Sequence, residues 1–177
     1  VQGFALLLKE NGLATFEFPH LLELIDNYQF DTIYHEHFSY LSLTSVNIIF
    51  EKNNLEIFDV EKLTTHGGSL RVYAKRKGSK AYEKNSRVKD LLDLEEERGL
   101  KDKKIYLDFK NNIDILKNDF LSFLLKLKKD GKKICAYGAA AKGNTFFNYC
   151  GIKKDLIPYV IDRNTSKQNK YLPGSLI

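Results

Sequence analysis

Methionine is absent from all 177 residues. A chain of this length ordinarily carries a few, so Val1 is expected to be an internal position of a longer protein. Cysteine occurs only at Cys135 and Cys150. Two are too few for a disulfide framework or a four-ligand zinc set. Two buried, reduced thiols in a cytoplasmic protein are expected instead. Long apolar runs are lacking as well. None approaches the roughly 20 residues that span a bilayer, so no membrane partner is expected. The opening VQGFALLLKENG has neither a basic start nor a small-residue cleavage site, which argues against a signal peptide. What is present is ordinary for a globular domain. Hydrophobic residues make up 43% and charged residues 29%, which excludes wholesale disorder or a collagen-like fibre. The length suffices to bury a core.

The net charge of +5 is unevenly spread. Residues 74–133 hold 18 Lys+Arg against 11 Asp+Glu, a balance of +7, and the remainder 10 against 12, a balance of −2. The basic side chains are interspersed with acids. That suits solvated helices better than a nucleic-acid footprint, so no nucleic-acid partner is expected.

Hydrophobic spacing predicts a helix over residues 1–10 with Val1, Phe4, Leu7 and Leu8 on one face, stopped by Asn11-Gly12. Leu13 to Pro19 reads as a buried strand. Helix, turn and strand form a half-turn of an alternating α/β fold. Residues 20–43 have no clean period and read as a loop rich in aromatics and histidine. Ser42 or Thr44 can cap a helix reaching Asn54. Leu55–Val60 and Ser69–Arg76 alternate as strands around a turn at 64–68, and an antiparallel pair at a sheet edge is expected. Helices are predicted from about Tyr82 to Arg98 and from about Lys103 to Lys129. Beyond Gly131, Ile134–Tyr137, a helix opened by Gly138 and Leu156–Ile161 have the spacing of a βαβ crossover.

Four stretches can carry chemistry. The first is Tyr34-His35-Glu36-His37, directly after a strand exit. In an extended segment Tyr34 and Glu36 share one face, and His35 and His37 the other. A histidine in a partly apolar pocket can abstract a proton near neutral pH, and a tyrosine can donate to a developing oxyanion. The competing readings are a surface loop bonded to its own backbone and a His35/His37 metal pair with no evident third ligand. The second is His66-Gly67-Gly68 followed by Arg71. Its glycines permit close backbone approach and its arginine can bind phosphate, but on these residues alone a tight turn with a solvent-facing arginine is the favoured reading. The third is GAAAKGNT at 138–145, an anion loop at a helix start with Lys142, or simply close packing of helix on strand. The fourth is Asp162, placed where dinucleotide folds bind ribose or where a strand merely ends.

Taken together, QFDTIYHEHFSYLSLTS (29–45), THGGSLRVYA (65–74), GAAAKGNTFFNYCGI (138–152), VIDRN (160–164) and KYLPG (170–174) resemble the family of S-adenosylmethionine (SAM)-dependent sugar C-methyltransferases. The best-known members of that family act on nucleotide-linked keto-deoxysugars. The resemblance spans essentially the whole chain. It implies an α/β fold: residues 1–77 as the end of a class I, Rossmann-like methyltransferase domain, 78–131 as a helical connector, and 132–177 as the first half of a C-terminal Rossmann-like domain. The SAM glycine loop and an N-terminal zinc module would lie upstream, so the fragment alone is expected to be inactive. The resemblance further implies that His37 removes a proton beside a sugar ketone, with Tyr34 and Glu36 in the same pocket, and that the enolate takes the SAM methyl group. His66, Gly67, Gly68 and Arg71 would lie beside the substrate, and Lys142 and Asn144 near its nucleotide end. His35 matches a variable position and is left out, and no metal ligand is expected. A nucleotide-binding oxidoreductase and a non-catalytic basic binding module are the alternatives. The first lacks a dinucleotide glycine loop, and the second would need its cations on one helix face.

Overall fold

Apolar–polar alternation builds one antiparallel sheet from Leu13–Pro19 (β1), Leu55–Leu63 (β2) and Ser69–Arg76 (β3). β3 lies in the middle, antiparallel to both neighbours, in the order β1-β3-β2. The expected β2–β3 pair is therefore present, and β1 joins it on the other side of β3. Leu70, Val72 and Ala74 on β3 are wholly buried, as is Leu55 on β2. They pack with Leu43, Val46 and Phe50 of helix Leu43–Lys52 (α3) and with Val88 and Leu91 of helix Ser86–Glu97 (α4). Ser42 caps α3: its hydroxyl accepts the Ser45 N–H, and Ser45 returns the bond to the Ser42 N–H, each at 3.1 Å.

The computed structural model describes residues 1–177 and resolves into two compact units. One is Val1–Gln29 with Ser39–Leu107, and the other is Phe30–Phe38 with Asp108–Ile177. The chain is thus mixed α/β, with helices and two small sheets.

Three expectations for the first unit are corrected. The opening helix is short, Gln2–Leu7 (α1), and turns Leu6 and Leu7 to solvent. Ala5 is its buried residue, and Phe4 meets Phe16 edge to face at 4.7 Å. The stretch expected as pure loop contains a helix, Leu21–Asp26 (α2), because Leu22, Leu24 and Ile25 find buried places. α4 starts at Ser86, four residues later than expected. Tyr82 stacks on Phe58 at 4.6 Å and its carbonyl accepts from Lys75. Asn85 then caps the helix through the Arg87 N–H at 3.0 Å.

The long helix Lys103–Lys129 (α5) has the expected bounds. In the second unit a crossover is present, with Ala136–Tyr137 (β4) parallel to Val160–Ile161 (β5) and helix Ala141–Cys150 (α6) between them. Both strands are two residues long, shorter than expected. Pro158 has no N–H for a ladder, and the Leu156 and Ile157 amides are spent on the Lys153 carbonyl. The core here is smaller: Leu124, Cys150, Ile152, Ile157 and Ile177. Cys150 is buried as expected, but Cys135 is exposed, which corrects the expectation of two buried thiols. Both are free. No helix is long and apolar enough to cross a membrane.

Candidate functional site

The segment Tyr34–His37 is a turn rather than an extended strand. The Tyr34 N–H donates to the Thr32 carbonyl at 3.1 Å, and the His37 N–H to the Tyr34 carbonyl at 3.0 Å. With no neighbouring strand to supply a ladder, the backbone bonds to itself, and the expected alternation of faces is lost. The Tyr34 ring therefore meets His35, at 5.8 Å, and His37, at 5.0 Å and nearly perpendicular. Its hydroxyl donates to the Glu36 carboxylate at 3.4 Å. Tyr34, Glu36 and His37 are thus brought together, and His35 stands beside them.

This turn is anchored by a single 3₁₀ turn, Phe30–Thr32. Phe30 is buried against Tyr149 and Phe146 of α6, at centroid distances of 4.9 and 5.7 Å. The Tyr149 hydroxyl donates to Asp114 on α5 at 2.7 Å, and Phe146 meets Phe120 edge to face. Lys142 and Asn144 lie in the first turns of the same α6. The Asn144 Oδ1 is buried without a hydrogen-bond partner.

Before α6 the chain closes on itself. Gly138, at φ 96°, donates its N–H to the Ile161 carbonyl at 2.7 Å. The Asp162 carboxylate accepts the Asn164 N–H at 2.7 Å and the Ala139 N–H at 2.6 Å. Those two bonds hold its carboxyl below the usual range. Lys167 donates to the Ala139 carbonyl at 2.7 Å. Asp162 is thereby committed to tying two loops together, which favours the strand-ending reading over a ribose acceptor. A cleft of about 830 Å³ beyond β5 is lined by Tyr159, Asp162, Lys167 and Tyr171 but by none of Tyr34, Glu36 or His37.

His66, Gly67, Gly68 and Arg71 belong to the other compact unit. His66 and Gly67 take left-handed backbone at φ 55° and 88°, and Gly68 sits at 121°. A Cβ on Gly67 would stand 2.7 Å from the Gln29 amide nitrogen, and one on Gly68 2.8 Å from the Glu23 Cγ. The glycines thus admit side chains of this same chain: Gln29 donates to the Gly67 carbonyl at 2.7 Å. Arg71 stands between cross-strand neighbours Glu17 and Glu61, at 2.9 and 3.8 Å. Its hydrogen bond holds the Glu17 carboxyl below the usual range.

Sequence reasoning missed one polar cluster. His20, the residue after β1, and Glu95 on α4 are both fully buried, with Nε2 and Oε1 2.8 Å apart. Glu95 also accepts the Leu43 and Thr44 N–H groups at 2.7 Å each and the Thr44 hydroxyl at 2.6 Å. Burial works to raise its pKa, but the bonds from His20, Thr44 and Leu43 outweigh it and hold the carboxyl below its ordinary value. The signal was periodicity. Val88, Leu91 and position 95 share the inward face of α4, where a carboxylate stands in place of an apolar residue. No group of three His, Cys, Asp or Glu is placed to hold a metal ion.

Two comparisons bear on this geometry. A family model described as the C-methyltransferase C-terminal domain matches residues 64–177. The chain is also 36% identical to the C-methyltransferase NovU of Streptomyces niveus, over 100% of its own length and 42% of that protein's. It therefore spans about two fifths of that relative.

Proposed function

This chain belongs to the family of C-methyltransferase C-terminal domains, and on that footing we propose that its parent protein transfers a methyl group from SAM to carbon. The acceptor is a carbon next to the ketone of a nucleotide-linked deoxysugar, and His37 is the base. The observation that supports this most is the Tyr34–His37 turn. It gathers an imidazole, a phenol and a carboxylate into one place, with the Tyr34 ring against His37 at 5.0 Å.

The chemistry asks little more of these residues. A carbon α to a ketone becomes acidic when its oxygen accepts a hydrogen bond, and one positioned base then suffices. His37 takes the proton from that carbon. Tyr34 turns its single hydroxyl proton from the Glu36 carboxylate, which accepts it within the turn, toward the developing oxyanion. SAM supplies the electrophilic methyl group. The glycine turn of the first unit is no cradle for it, because Gln29 and Glu23 fill the space beside Gly67 and Gly68. In this reading, as the family resemblance implies, SAM binds in the upstream part of the parent protein, with residues 1–77 closing a class I methyltransferase domain and 132–177 opening a Rossmann-like one. Lys142 and Asn144, on the helix that seats Phe30, are assigned to the nucleotide end. Their support is the unpartnered Asn144 Oδ1. His66, Gly67 and Gly68, which the family resemblance sets beside the substrate, lie in the first unit, where Gln29 and Glu23 crowd the two glycines. Arg71 is left out because two carboxylates already neutralise it.

The test uses the full-length parent with methyl-labelled SAM and a 4-keto-deoxysugar nucleotide, beside its His37→Asn variant. The expected outcome is label in a new carbon–carbon bond, reduced at least about 100-fold in the variant while SAM binding is kept, as removal of a general base predicts. Undiminished transfer by His37→Asn would take His37 out of the chemistry.

A further inference from the structure

We propose that Glu95 is a positioning residue for the segment that carries His37, clamping together the two points between which that segment runs. The proposal rests on the reading of His37 given above, and its geometry stands apart from it.

The chain leaves β1 at His20, passes through α2 and residues 30–38, and re-enters regular structure at the start of α3. The two ends lie side by side. His20 and Leu41 form an isolated parallel bridge, and the Leu21 N–H donates to the Leu41 carbonyl at 2.9 Å. Glu95 spans this joint from a third element. Its Oε1 accepts from His20 Nε2 at 2.8 Å and from the Leu43 N–H at 2.7 Å. Its Oε2 accepts the Thr44 N–H at 2.7 Å and the Thr44 hydroxyl at 2.6 Å. One carboxylate thus holds the departure point with one bond and the return point with three.

Packing alone does not ask for this arrangement. An apolar side chain at 95 would continue the Val88–Leu91 stripe without the desolvation cost of a buried charge. An apolar side chain at 20 would avoid the buried His20 Nδ1, which has no partner. What the polar pair adds is direction. Four short bonds with fixed donor positions allow one arrangement of the β1 exit relative to the α3 start, and the first N–H groups of α3 favour a negative charge there. Residues 30–38 have no strand partner and are seated through Phe30 on α6, and the setting of the β1 exit and the α3 start is the second constraint on how the chain runs between them.

The experiment compares Glu95→Gln, Thr44→Val and wild type in the full-length parent. It reads amide hydrogen exchange over residues 30–40 and, separately, kcat and KM. In Glu95→Gln we expect exchange over 30–40 to quicken about tenfold while β2 and β3 amides keep their rates. We expect kcat to fall about tenfold with KM changed less than twofold. Thr44→Val, which loses only the hydroxyl bond, should move both readouts the same way by less, and it decides the matter alone if Glu95→Gln does not fold. Unchanged exchange over 30–40 overturns the clamp, and so does equal quickening in β3, which would mean plain destabilisation. Exchange needs no turnover, so a released segment beside a fully active His37→Asn would sink the His37 reading and leave the clamp standing. A released segment with undiminished kcat, beside an inactive His37→Asn, overturns the positioning role.

Discussion

In the first unit a carboxylate is buried completely and receives four hydrogen bonds; in the second, the carboxylates near the candidate residues stay at or near the surface with one or two. The same contrast runs through the cores. Three strands of seven to nine residues support a continuous apolar cluster in the first unit, while two-residue strands in the second lean on α5 and α6. The lesson concerns division of labour. Where the scaffold is strong it can house a charged group that fixes geometry. Where it is thin, polar groups remain near water. The Tyr34–His37 turn belongs to the second kind, and the ends from which it springs belong to the first.

The largest blow to that contrast should come from Glu95→Ala. It leaves His20 and three donors of residues 43 and 44 without their acceptor, and deleting one member of a buried pair costs about 3–5 kcal/mol. A denaturant melt followed by β3 amides measures it. The same carboxylate predicts an acid limb. Its folded pKa lies below the ordinary glutamate value of about 4.3. The stability it contributes is therefore complete above that value and drains away as the pH falls through the lower, folded one. The acid limb should flatten in Glu95→Gln. A limb of unchanged slope would show that the carboxylate is not what acid attacks.

A smaller effect separates the two thiols of the second unit. Cys135 is exposed, while burial pushes the Cys150 thiol up. At pH 8 an alkylating reagent should take up one equivalent quickly and the second at least about tenfold more slowly, because the thiolate is the reactive form and access is needed. Mass spectrometry of the labelled peptides reads the order. Equal rates would mean that the α6 end opens readily and that the small core around Leu124 and Ile152 holds less firmly than its burial suggests.

Much of this architecture was legible beforehand, and the failures have causes. The stripe from Ile105 to Leu127 announced α5 to the residue, because a long amphipathic period leaves little choice. Ser69–Arg76 was equally plain. β4 and β5 were drawn too long because apolar content spoke for strands while Pro158 and the Lys153 turn spoke against them. Alternation was assumed for Tyr34–His37 where no partner strand existed to enforce it. Glu95 escaped notice inside Glu95-Glu96-Glu97, an acid run that looks like a solvated face. Only its register with Val88 and Leu91 distinguishes the first of the three, and His20, its partner 75 positions away, cannot be found by any local pattern.

The smallest expected effect falls on Arg71, where the sequence suggested a phosphate ligand and the sheet shows a cation between two acids. Glu17 and Glu61 flank it on neighbouring strands, so the row carries a net negative charge even with the arginine present. A phosphate approaching Arg71 would have to displace one carboxylate and tolerate the other. Exposed ion pairs of this kind contribute little, since solvent screens them and the side chains lose freedom in forming them. Arg71→Met in the parent protein should therefore leave the melting midpoint within the scatter of replicate scans and KM for the sugar nucleotide within about twofold. A rise in KM of tenfold or more, with kcat and midpoint unmoved, would mean that the arginine leaves its carboxylates for the substrate. In that case the first unit would itself bind ligand.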